Sequence, residues 1–447
     1  MTTHPFVFDR YAFDPNTAVL HLHYRYEGGA RFEERISFPT PVRPLSADRS
    51  TALDRAFRLI FLLAGVSYYK AHVPQDLICE AFPLDRATAD FVADVYFHGL
   101  GEFSYCNRID LSDKIRFAIS DAPAHTSLSL DLPPRVLVPV GGGKDSIVSL
   151  ELLKQADYPV TLYAQGKSAA DIAAPIEATI EASGLPALKV GRVLSGALLE
   201  LNRAGALNGH VPITAILSSI TIACAVLYGF DTIALSNEHS ASAPNLKIGD
   251  IEINHQYSKS LNFELAFSAY VAAHISPNIR YFSLLRPLTE TAIARRFAEL
   301  KDYHGIFRSC NTAFRQDKEQ RNKNWCCDCA KCRFVFLALA PFIEKSRLID
   351  IFGKNMLDDE KQNRGFSELC GITAHKPFEC VGDIEESALL MEKLRQSPIW
   401  KNDSIVRDLG AQIAPQKGSD VRYSALFTLR PEHRVPEEFL KLLNASN

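Results

Sequence analysis

The stretch RVLVPVGGGKDSIVSLELLK, residues 135–154, decides the fold. Its apolar run at 136–140 has the length of a buried strand and stops at Gly141, Gly142 and Gly143. Lys144, Asp145 and Ser146 come next, and a helical pattern follows them. A glycine loop between a strand and a helix N-terminus is typical of a phosphate site, because backbone N–H groups there point at the anion.

Strands and helices alternate on both sides of this loop. The strand at 136–140 precedes a helix at 146–155, and a second strand at 159–166 precedes a helix at 170–183. A buried helix at 214–229 then leads to a strand that ends in SNEHS at 236–240. This alternation predicts a parallel sheet covered by helices, with ligands bound beyond the carboxyl ends of the strands.

The regions before and after this alternation have a different character. Residues 6–38 alternate apolar and polar side chains around Gly28-Gly29, which predicts an antiparallel hairpin, and helical periodicity follows. We therefore predict an N-terminal α+β domain (1–132), ending before Pro133-Pro134, and a parallel-sheet α/β domain (133–305). Residues 306–447 are predicted to form a Cys-rich, mostly helical C-terminal region.

Composition narrows the class of protein. The 447 residues carry 49 Lys+Arg against 52 Asp+Glu, a net charge of -3 that argues against a general nucleic-acid binder. No apolar stretch reaches the roughly 20 residues of a membrane helix. The first residues also lack the pattern of a secretory signal. We expect a cytoplasmic protein with a small-molecule substrate and neither a nucleic-acid nor a membrane partner.

The glycine loop does not fit the two commonest nucleotide-binding motifs. A Walker A loop would need glycine at Val138 and Ser or Thr at Asp145, and a dinucleotide fingerprint would need a third glycine at Ser146. The loop instead resembles the S-G-G-x-D-S pyrophosphate loop (PP-loop) of the N-type ATP pyrophosphatases, with Gly141 in place of the leading serine. That resemblance implies a HUP-like (adenine nucleotide alpha hydrolase-like) domain that cleaves ATP between its α and β phosphates.

Each loop residue has a role consistent with that chemistry. The three glycines let backbone N–H groups close around an anion, while Lys144 and Ser146 can donate to phosphate oxygens. Asp145 can hold a Mg²⁺ ion that bridges the leaving pyrophosphate. The alternative is an ordinary glycine-rich turn in which Asp145 and Ser146 only cap the helix.

Five of the ten cysteines fall within 23 positions, which favours a metal site over disulfides. Cys326, Cys329 and Cys332 are spaced by two residues, and Cys310 lies upstream. Four thiolates suit a tetrahedral structural Zn²⁺, with Cys327 as the extra cysteine, although a set that includes Cys327 stays open. The cluster is similar to the zinc knot of 7-cyano-7-deazaguanine synthase, where the first cysteine lies closer to the other three. Reduced, buried cysteines are the alternative.

Two polar segments follow the predicted strands, at 236–245 and 254–264. Candidate acid, base, metal or substrate contacts within them are Glu238, His239, His255 and Lys259. Further along, Arg286 and Glu290 are candidates for recognising an anionic substrate group, since arginine forms paired hydrogen bonds with carboxylates. The alternative is that all of these are surface loops and helix caps.

The layout as a whole resembles the UDP-N-acetyl-α-D-muramoyl-L-alanyl-L-glutamate epimerase family. The resemblance rests on FVFDRYAFD (6–14), GGGKDS (141–146), SNEHSAS (236–242), NHQYSKS (254–260) and WCCDCAKC (325–332). It implies ATP- and Mg²⁺-dependent inversion of the terminal L-Glu of UDP-MurNAc-L-Ala-L-Glu, through an acyl-adenylate, with release of AMP and pyrophosphate. Adenylation acidifies the α-proton, and inversion needs two proton-transfer groups. The predicted catalytic set is Lys144, Asp145, Glu238, His239, His255 and Lys259.

Two other functions remain compatible with the sequence. One is a PP-loop enzyme that activates a nucleobase or tRNA for amidation, nitrile formation or thiolation. The other is a non-catalytic nucleotide sensor with a metal-stabilised helical tail. An RNA substrate would favour a basic surface, and a sensor would bind ATP without releasing pyrophosphate.

Overall fold

Ten strands form one sheet in the computed structural model, which describes residues 4–40, 44–121, 125–314, 324–373, 376–413 and 419–444. The strands of the described ranges are β1 (Phe6–Asp14), β2 (Val19–Tyr26), β3 (Arg31–Ser37), β4 (Asp76–Cys79), β5 (Arg116–Phe117), β6 (Val136–Pro139), β7 (Val160–Gly166), β8 (Ala187–Val193), β9 (Thr232–Leu235), β10 (Leu246–Ile248), β11 (Ile251–Ile253) and β12 (Arg280–Ser283). The large sheet has the order β12-β9-β6-β7-β8-β3-β2-β1-β4-β5, and β10 pairs with β11.

Helices pack against this sheet, and all of the described elements after β12 are helical. Their bounds are α1 (Ala47–Ala64), α2 (Val66–Tyr69), α3 (Arg86–Gly99), α4 (Gly101–Asn107), α5 (Lys144–Leu153), α6 (Ala174–Ser183), α7 (Gly196–Arg203), α8 (Ile213–Tyr228), α9 (Leu261–His274), α10 (Glu290–Glu299), α11 (Ala330–Leu339), α12 (Lys345–Phe352), α13 (Asn363–Leu369), α14 (Ile384–Gln396), α15 (Ser404–Gln412), α16 (Ser419–Ala425) and α17 (Glu437–Asn444). Among the described helices, none combines the length and apolar character needed to cross a membrane.

Most strand pairs of the large sheet are parallel, so the predicted α/β class is confirmed. The parallel pairs run through β12, β9, β6, β7 and β8, and β4 pairs in parallel with both β1 and β5. The predicted hairpin is β2–β3, with Gly28 at φ +65° in its turn. A positive φ favours glycine, which has no Cβ to clash with the backbone.

The N-terminal strands and the later parallel strands belong to one continuous sheet. β3 pairs antiparallel with β8, and beside this seam the Arg192 guanidinium donates to the buried Glu34 carboxylate at 2.7 Å. Tyr68 donates a further hydrogen bond to Glu34, at 2.9 Å. Removing one partner of such a buried ion pair is strongly destabilising, because the other charge is left buried alone. The domain limits at 132/133 and 305/306 stay predictions.

The strand order changes direction at β6. The chain runs from β6 through β7 to β8 on one side, whereas β9 and β12 lie on the other side. Open α/β sheets bind ligands where such a reversal opens a crevice beyond the carboxyl ends of the strands. The glycine loop follows β6, and the residues after β9 begin the polar segment at 236–240. The fold therefore brings these two predicted site segments to one edge.

Two apolar clusters hold this arrangement. One lies among the N-terminal strands, α1 and α8, and the other packs α5, α10 and α11 with the later helices. The second cluster includes Cys310 and Cys332, so the cysteine-containing segment is packed into the same core as the helix that follows the glycine loop. Movement of that segment would therefore disturb the packing of α5, which follows the glycine loop.

Candidate active site at the carboxyl edge of the sheet

The glycine loop is held tightly at two of its three glycines. Gly142 has φ +73°, and a Cβ added there would lie 3.0 Å from the carbonyl carbon of Pro175. A Cβ on Gly143 would lie 2.8 Å from the Ser309 hydroxyl. A Cβ on Gly141 would meet no heavy atom within 4 Å. Glycine is thus required at 142 and favoured at 143, whereas position 141 has room for a side chain such as serine.

Helix α5 begins at Lys144, two residues earlier than predicted, because Gly143 takes the extended conformation of an N-cap. Lys144 is 2% exposed, and its ammonium forms ion pairs with Asp145 and Glu290. Burial by itself lowers the pKa of Lys144, but the two carboxylates outweigh it and raise the pKa. Lys144 is therefore a charged donor fixed at the helix N-terminus.

A cavity of about 450 Å³ opens beside this helix end. Its volume lies in the range of small-molecule sites. The lining combines the loop, the ends of β6 and β9, and side chains from later in the chain. Polar and charged members include Lys144, Asp145, Ser146, Ser236, Asn237, Glu238, Gln256, Lys259, Glu290, Arg308, Asn311, Lys331 and Cys380. The Ser236 hydroxyl is buried and has no hydrogen-bond partner among the described residues.

A larger cavity, of about 770 Å³, lies between β1 and α1, lined in part by Tyr11, Phe13 and Asp54. Tyr11 donates a hydrogen bond of 2.6 Å to Asp54, so its main polar pair is already satisfied. The smaller cavity is the better candidate for the site, because it lies at the strand-order reversal and brings cations, carboxylates and a thiol together.

Lys259 and Cys380 form a pair on the wall of the loop cavity. Lys259 follows Tyr257 and Ser258 in a short 3₁₀ turn, and its Nζ lies 3.3 Å from Cys380 Sγ. Burial alone would raise the pKa of Cys380, but the Lys259 charge and a hydrogen bond from His255 lower it to about 6. The thiolate in turn raises the pKa of Lys259. Nothing in the spacing around this isolated cysteine indicated such a role.

His255 lies behind this pair in a network of its own. Its Nδ1 hydrogen bonds to the Glu102 carboxylate, and its ring packs against His210 with 4.2 Å between centroids. Burial lowers the pKa of His255, but its hydrogen bonds to Cys380 and Glu102 raise it to about 9. Burial and the neighbouring His255 lower the pKa of His210 to about 3. His255 thus supports the thiolate from outside the cavity lining.

Of the two remaining predicted acid/base residues, Glu238 lines the cavity and His239 lies outside its described lining. Glu238 is 5% exposed and lines the cavity, where its Oε1 accepts a hydrogen bond of 3.2 Å from Ser240. His239 does not belong to the cavity lining within the described ranges, and its backbone N–H donates to Leu288. Burial, and then the charge of Arg430, lower the pKa of His239.

The prediction that Arg286 recognises an anionic substrate group is wrong. Its side chain is 1% exposed and donates to the backbone carbonyls of Glu238 and Lys259, both at 2.6 Å. It also pairs with the Glu264 carboxylate at 2.9 Å. Arg286 therefore fixes the backbone of two cavity residues from inside the protein. Glu290, predicted with it, lines the cavity and pairs with Lys144.

The structure brings the thiols of Cys310, Cys326, Cys329 and Cys332 within 4.8 Å of one another. The Sγ of Cys332 lies 3.7 Å from that of Cys326 and 3.5 Å from that of Cys329. Four thiolates around a zinc ion at about 2.3 Å would be about 3.8 Å apart, so the cluster fits this ion. Cys327 faces away, with its Sγ 3.3 Å from the Phe352 carbonyl oxygen.

The cysteine cluster is connected to the glycine loop. Arg308 and Ser309 immediately precede Cys310, and the Arg308 backbone N–H donates to the Gly142 carbonyl at 2.8 Å. Beside the cysteine cluster, Lys331 donates a hydrogen bond of 2.8 Å to the Asn311 side chain, and both residues line the cavity. A metal held by the four thiols would therefore stiffen one side of the loop and one wall of the cavity.

Comparison with known proteins identifies the family of the chain. A model described as the MurL N-terminal domain matches residues 1–284, and one described as the MurL C-terminal domain matches residues 306–424. The chain belongs to the MurL family. Among curated relatives, proteins named UDP-N-acetyl-alpha-D-muramoyl-L-alanyl-L-glutamate epimerase occur in Xanthomonas oryzae pv. oryzae (43% identity, 99% of this chain and 97% of the relative) and Micromonospora sp. (42%, 98% and 97%). The protein of that name from Salinispora tropica is 40% identical, over 95% of this chain and 92% of the relative.

No solved structure matches the chain. Both MurL regions contribute residues to the cavity, and Glu290 lies between the two regions. The N-terminal region carries the glycine loop, Glu238 and Lys259, and the C-terminal region carries the cysteine cluster, Lys331 and Cys380. The loop cavity is therefore lined by residues of both regions. The relatives' names agree with the prediction that the chain is an enzyme of the isomerase class.

Proposed function

We propose that this chain inverts the terminal L-Glu of UDP-MurNAc-L-Ala-L-Glu to D-Glu, in peptidoglycan precursor synthesis, at the expense of ATP. The observation that carries the proposal is the loop cavity, where a phosphate-type loop faces groups able to transfer protons. The names of relatives that are 40–43% identical over nearly the whole chain supply the substrate. A PP-loop, HUP-like assignment for the loop domain belongs to the same proposal.

ATP is the co-substrate, and the glycine loop binds its phosphates. Backbone N–H groups at Gly141, Gly142 and Gly143, together with the N-terminus of α5, supply donors for the β and γ phosphates. Lys144 contributes a fixed ammonium, and Ser146 a hydroxyl 3.0 Å from the Gly143 carbonyl. Asp145 is the carboxylate that would hold Mg²⁺, which neutralises charge on the leaving pyrophosphate when bound.

Activation precedes inversion because a carboxylate opposes carbanion formation beside it. The α-carboxylate of the terminal L-Glu attacks the α-phosphate of ATP, forms the acyl-adenylate and releases pyrophosphate. The α-proton is then more acidic, and one group removes it while another delivers a proton to the opposite face. Hydrolysis of the acyl-adenylate releases AMP and the D-Glu product.

The proton-transfer groups come from the cavity lining. Of the predicted acid/base residues, Glu238 and Lys259 line the cavity, whereas His239 and His255 are outside its described lining. The raised pKa of Lys259, caused first by the Cys380 thiolate, keeps its ammonium charged. A charged ammonium cannot accept a proton, so Lys259 acts by its charge, and Glu238 is one of the transfer groups.

The four-thiol cluster holds a structural Zn²⁺ in this proposal. Its thiols fit the ion's tetrahedral preference. Asn311 and Lys331, which are adjacent in sequence to Cys310 and Cys332, lie on the cavity wall. All four ligands are protein thiols, so the site has no open position for chemistry. Its contribution is to hold the segment that hydrogen bonds to Gly142.

The test is a product analysis with purified protein, ATP, Mg²⁺ and UDP-MurNAc-L-Ala-L-Glu. We expect AMP, pyrophosphate and D-Glu in equal amounts. ADP with phosphate would contradict cleavage between the α and β phosphates. AMP without D-Glu would contradict epimerisation and favour one of the other activation chemistries. Nucleotide binding without any product would indicate a sensor.

A further inference from the structure

The thiol of Cys380 lies on the wall of the loop cavity beside two cationic side chains. It lies within hydrogen-bond distance of Lys259 Nζ, at 3.3 Å, and His255 hydrogen bonds to it from behind the cavity wall. Its side chain is partly exposed, and the space that it faces is the cavity shared with the glycine loop. Two cations hold the sulfur, and it remains open to a ligand.

We propose that Cys380 is a catalytic residue, the base that removes the α-proton from the activated glutamyl group. This inference rests on the proposed epimerase function. It adds a residue that belongs to none of the sequence motifs from which that function was predicted. The Cα–H bond breaks, an S–H bond forms at Cys380, and the electron pair stays on the substrate as the enolate of the acyl-adenylate. Glu238, which lines the same cavity, is the group that delivers a proton to the opposite face, which gives the D configuration.

The surroundings of the sulfur explain why a thiol can serve as the base. Charged groups that act on Cys380 come from several elements: Lys259, His255, Lys331 and Lys376. Burial raises the pKa of Cys380, and the nearest cations lower it to about 6, so the thiolate is the resting form at neutral pH. A base with a pKa near the working pH accepts and returns protons most efficiently.

The same geometry assigns supporting roles to two predicted catalytic residues. Lys259 donates to the sulfur, and its backbone carbonyl is fixed by the buried Arg286 guanidinium at 2.6 Å. His255 joins the sulfur to Glu102, which lies on α4 of the N-terminal part. His255 is a positioning residue, because it lies outside the cavity lining and acts on the substrate only through Cys380, whereas Lys259 also lines the cavity. Removing either should make Cys380 a weaker acid without removing the base.

The experiment separates activation from proton transfer. ATP–pyrophosphate exchange in the presence of the UDP-muramoyl dipeptide reports adenylation, and proton NMR in D₂O reports deuterium incorporation at the glutamate Cα. We expect Cys380→Ala and Cys380→Ser to keep pyrophosphate exchange within about twofold, and to lose deuterium incorporation by about 10²- to 10⁴-fold. Cys106→Ala, which removes an exposed thiol on α4, is the matched control and should retain both activities.

Three results would overturn the proposal. Deuterium incorporation at the wild-type rate in Cys380→Ala would show that another group is the base. Parallel loss of both activities would assign Cys380 to activation or to folding. A thioester between Cys380 and the substrate, trapped by acid quenching, would make the sulfur a nucleophile. Failure of the wild-type protein to exchange pyrophosphate would instead contradict the proposed function itself.

A second measurement tests the thiolate without turnover. Alkylation of Cys380 by iodoacetamide, followed by peptide mass spectrometry, should be fast at pH 7 in the wild-type protein. Lys259→Met should slow it by about tenfold or more, since the sulfur would return toward an ordinary cysteine pKa. Equal alkylation rates in the two proteins would contradict the pairing of Lys259 with Cys380.

Discussion

Replacing Gly142 with alanine tests how much the glycine loop depends on its backbone conformation. A residue with a side chain at φ +73° costs about 1–2 kcal/mol. The new Cβ would also lie 3.0 Å from backbone of Pro175, so the loop must shift away from the start of α6. That shift weakens the 2.8 Å hydrogen bond from Arg308 to Gly142, worth about 1 kcal/mol. The total is about 2–3 kcal/mol.

This energy must appear in one of two measurements. If the loop relaxes, the Kd for ATP rises by about 30- to 150-fold, because each 1.4 kcal/mol is about tenfold. If the loop keeps its shape, the free energy of unfolding falls by the same amount. Calorimetric titration with ATP and Mg²⁺, together with urea unfolding, measures both, and we expect the two losses to sum to about 2–3 kcal/mol.

Gly141→Ala is the matched control, because a Cβ there meets no heavy atom within 4 Å. We expect it to bind ATP within about twofold of wild type and to be as stable within about 0.5 kcal/mol. Gly141→Ser should fit equally well, because the same space is open to its hydroxyl. Wild-type binding and stability in Gly142→Ala, or an equal loss in Gly141→Ala, would refute the reasoning.

Three further predictions concern the metal, a buried carboxyl and a buried ion pair. Cys329→Ser should lose bound zinc by elemental analysis while Cys327→Ser keeps about one equivalent, because only the first thiol belongs to the cluster; zinc loss from both would contradict this. Burial, and then the nearby Asp383, raise the pKa of Glu386 from 4.5 to about 7, so the folded state holds its proton longer and stability falls as pH rises through that window. Glu386→Gln should therefore be more stable than wild type by about 3 kcal/mol above pH 7, with little difference below pH 4.5, in urea unfolding at both pH values; a gain that does not vary with pH would contradict it. Arg286→Met should cost about 3–5 kcal/mol of unfolding free energy by leaving the Glu264 carboxylate buried without its partner, and a second change, Glu264→Leu, should recover part of the loss; no recovery would contradict the pair.

Local patterns predicted those parts of the site that are contiguous in the chain. The glycine loop, the strand before it and the helix after it follow from hydrophobic periodicity and from the conformational needs of glycine. The helix start was misplaced by two residues because Gly143, rather than Asp145, occupies the N-cap position. Edge placement of Glu238 also followed, since it comes after β9 and parallel strands end at one edge.

The sequence spacing of residues could not predict the directions in which their side chains point. Spacing set Cys327 apart as the extra cysteine but left a set that includes it open, and φ +53° turns its thiol toward the Phe352 carbonyl and away from the cluster. Arg286 looked like a substrate contact, whereas folding buries it beneath the cavity. Cys380 meets Lys259 only through the packing of distant segments, 121 positions apart in sequence. Such long-range contacts leave no local pattern.

The most direct test of the central claim, that inversion depends on prior adenylation, is proton NMR of the UDP-muramoyl dipeptide with enzyme in D₂O. We predict that the glutamate α-proton signal disappears, and D-Glu appears, only when ATP and Mg²⁺ are both present. An ATP analogue with a methylene group between the α and β phosphates should support neither change. Exchange of the α-proton without ATP, or with that analogue, would contradict the account.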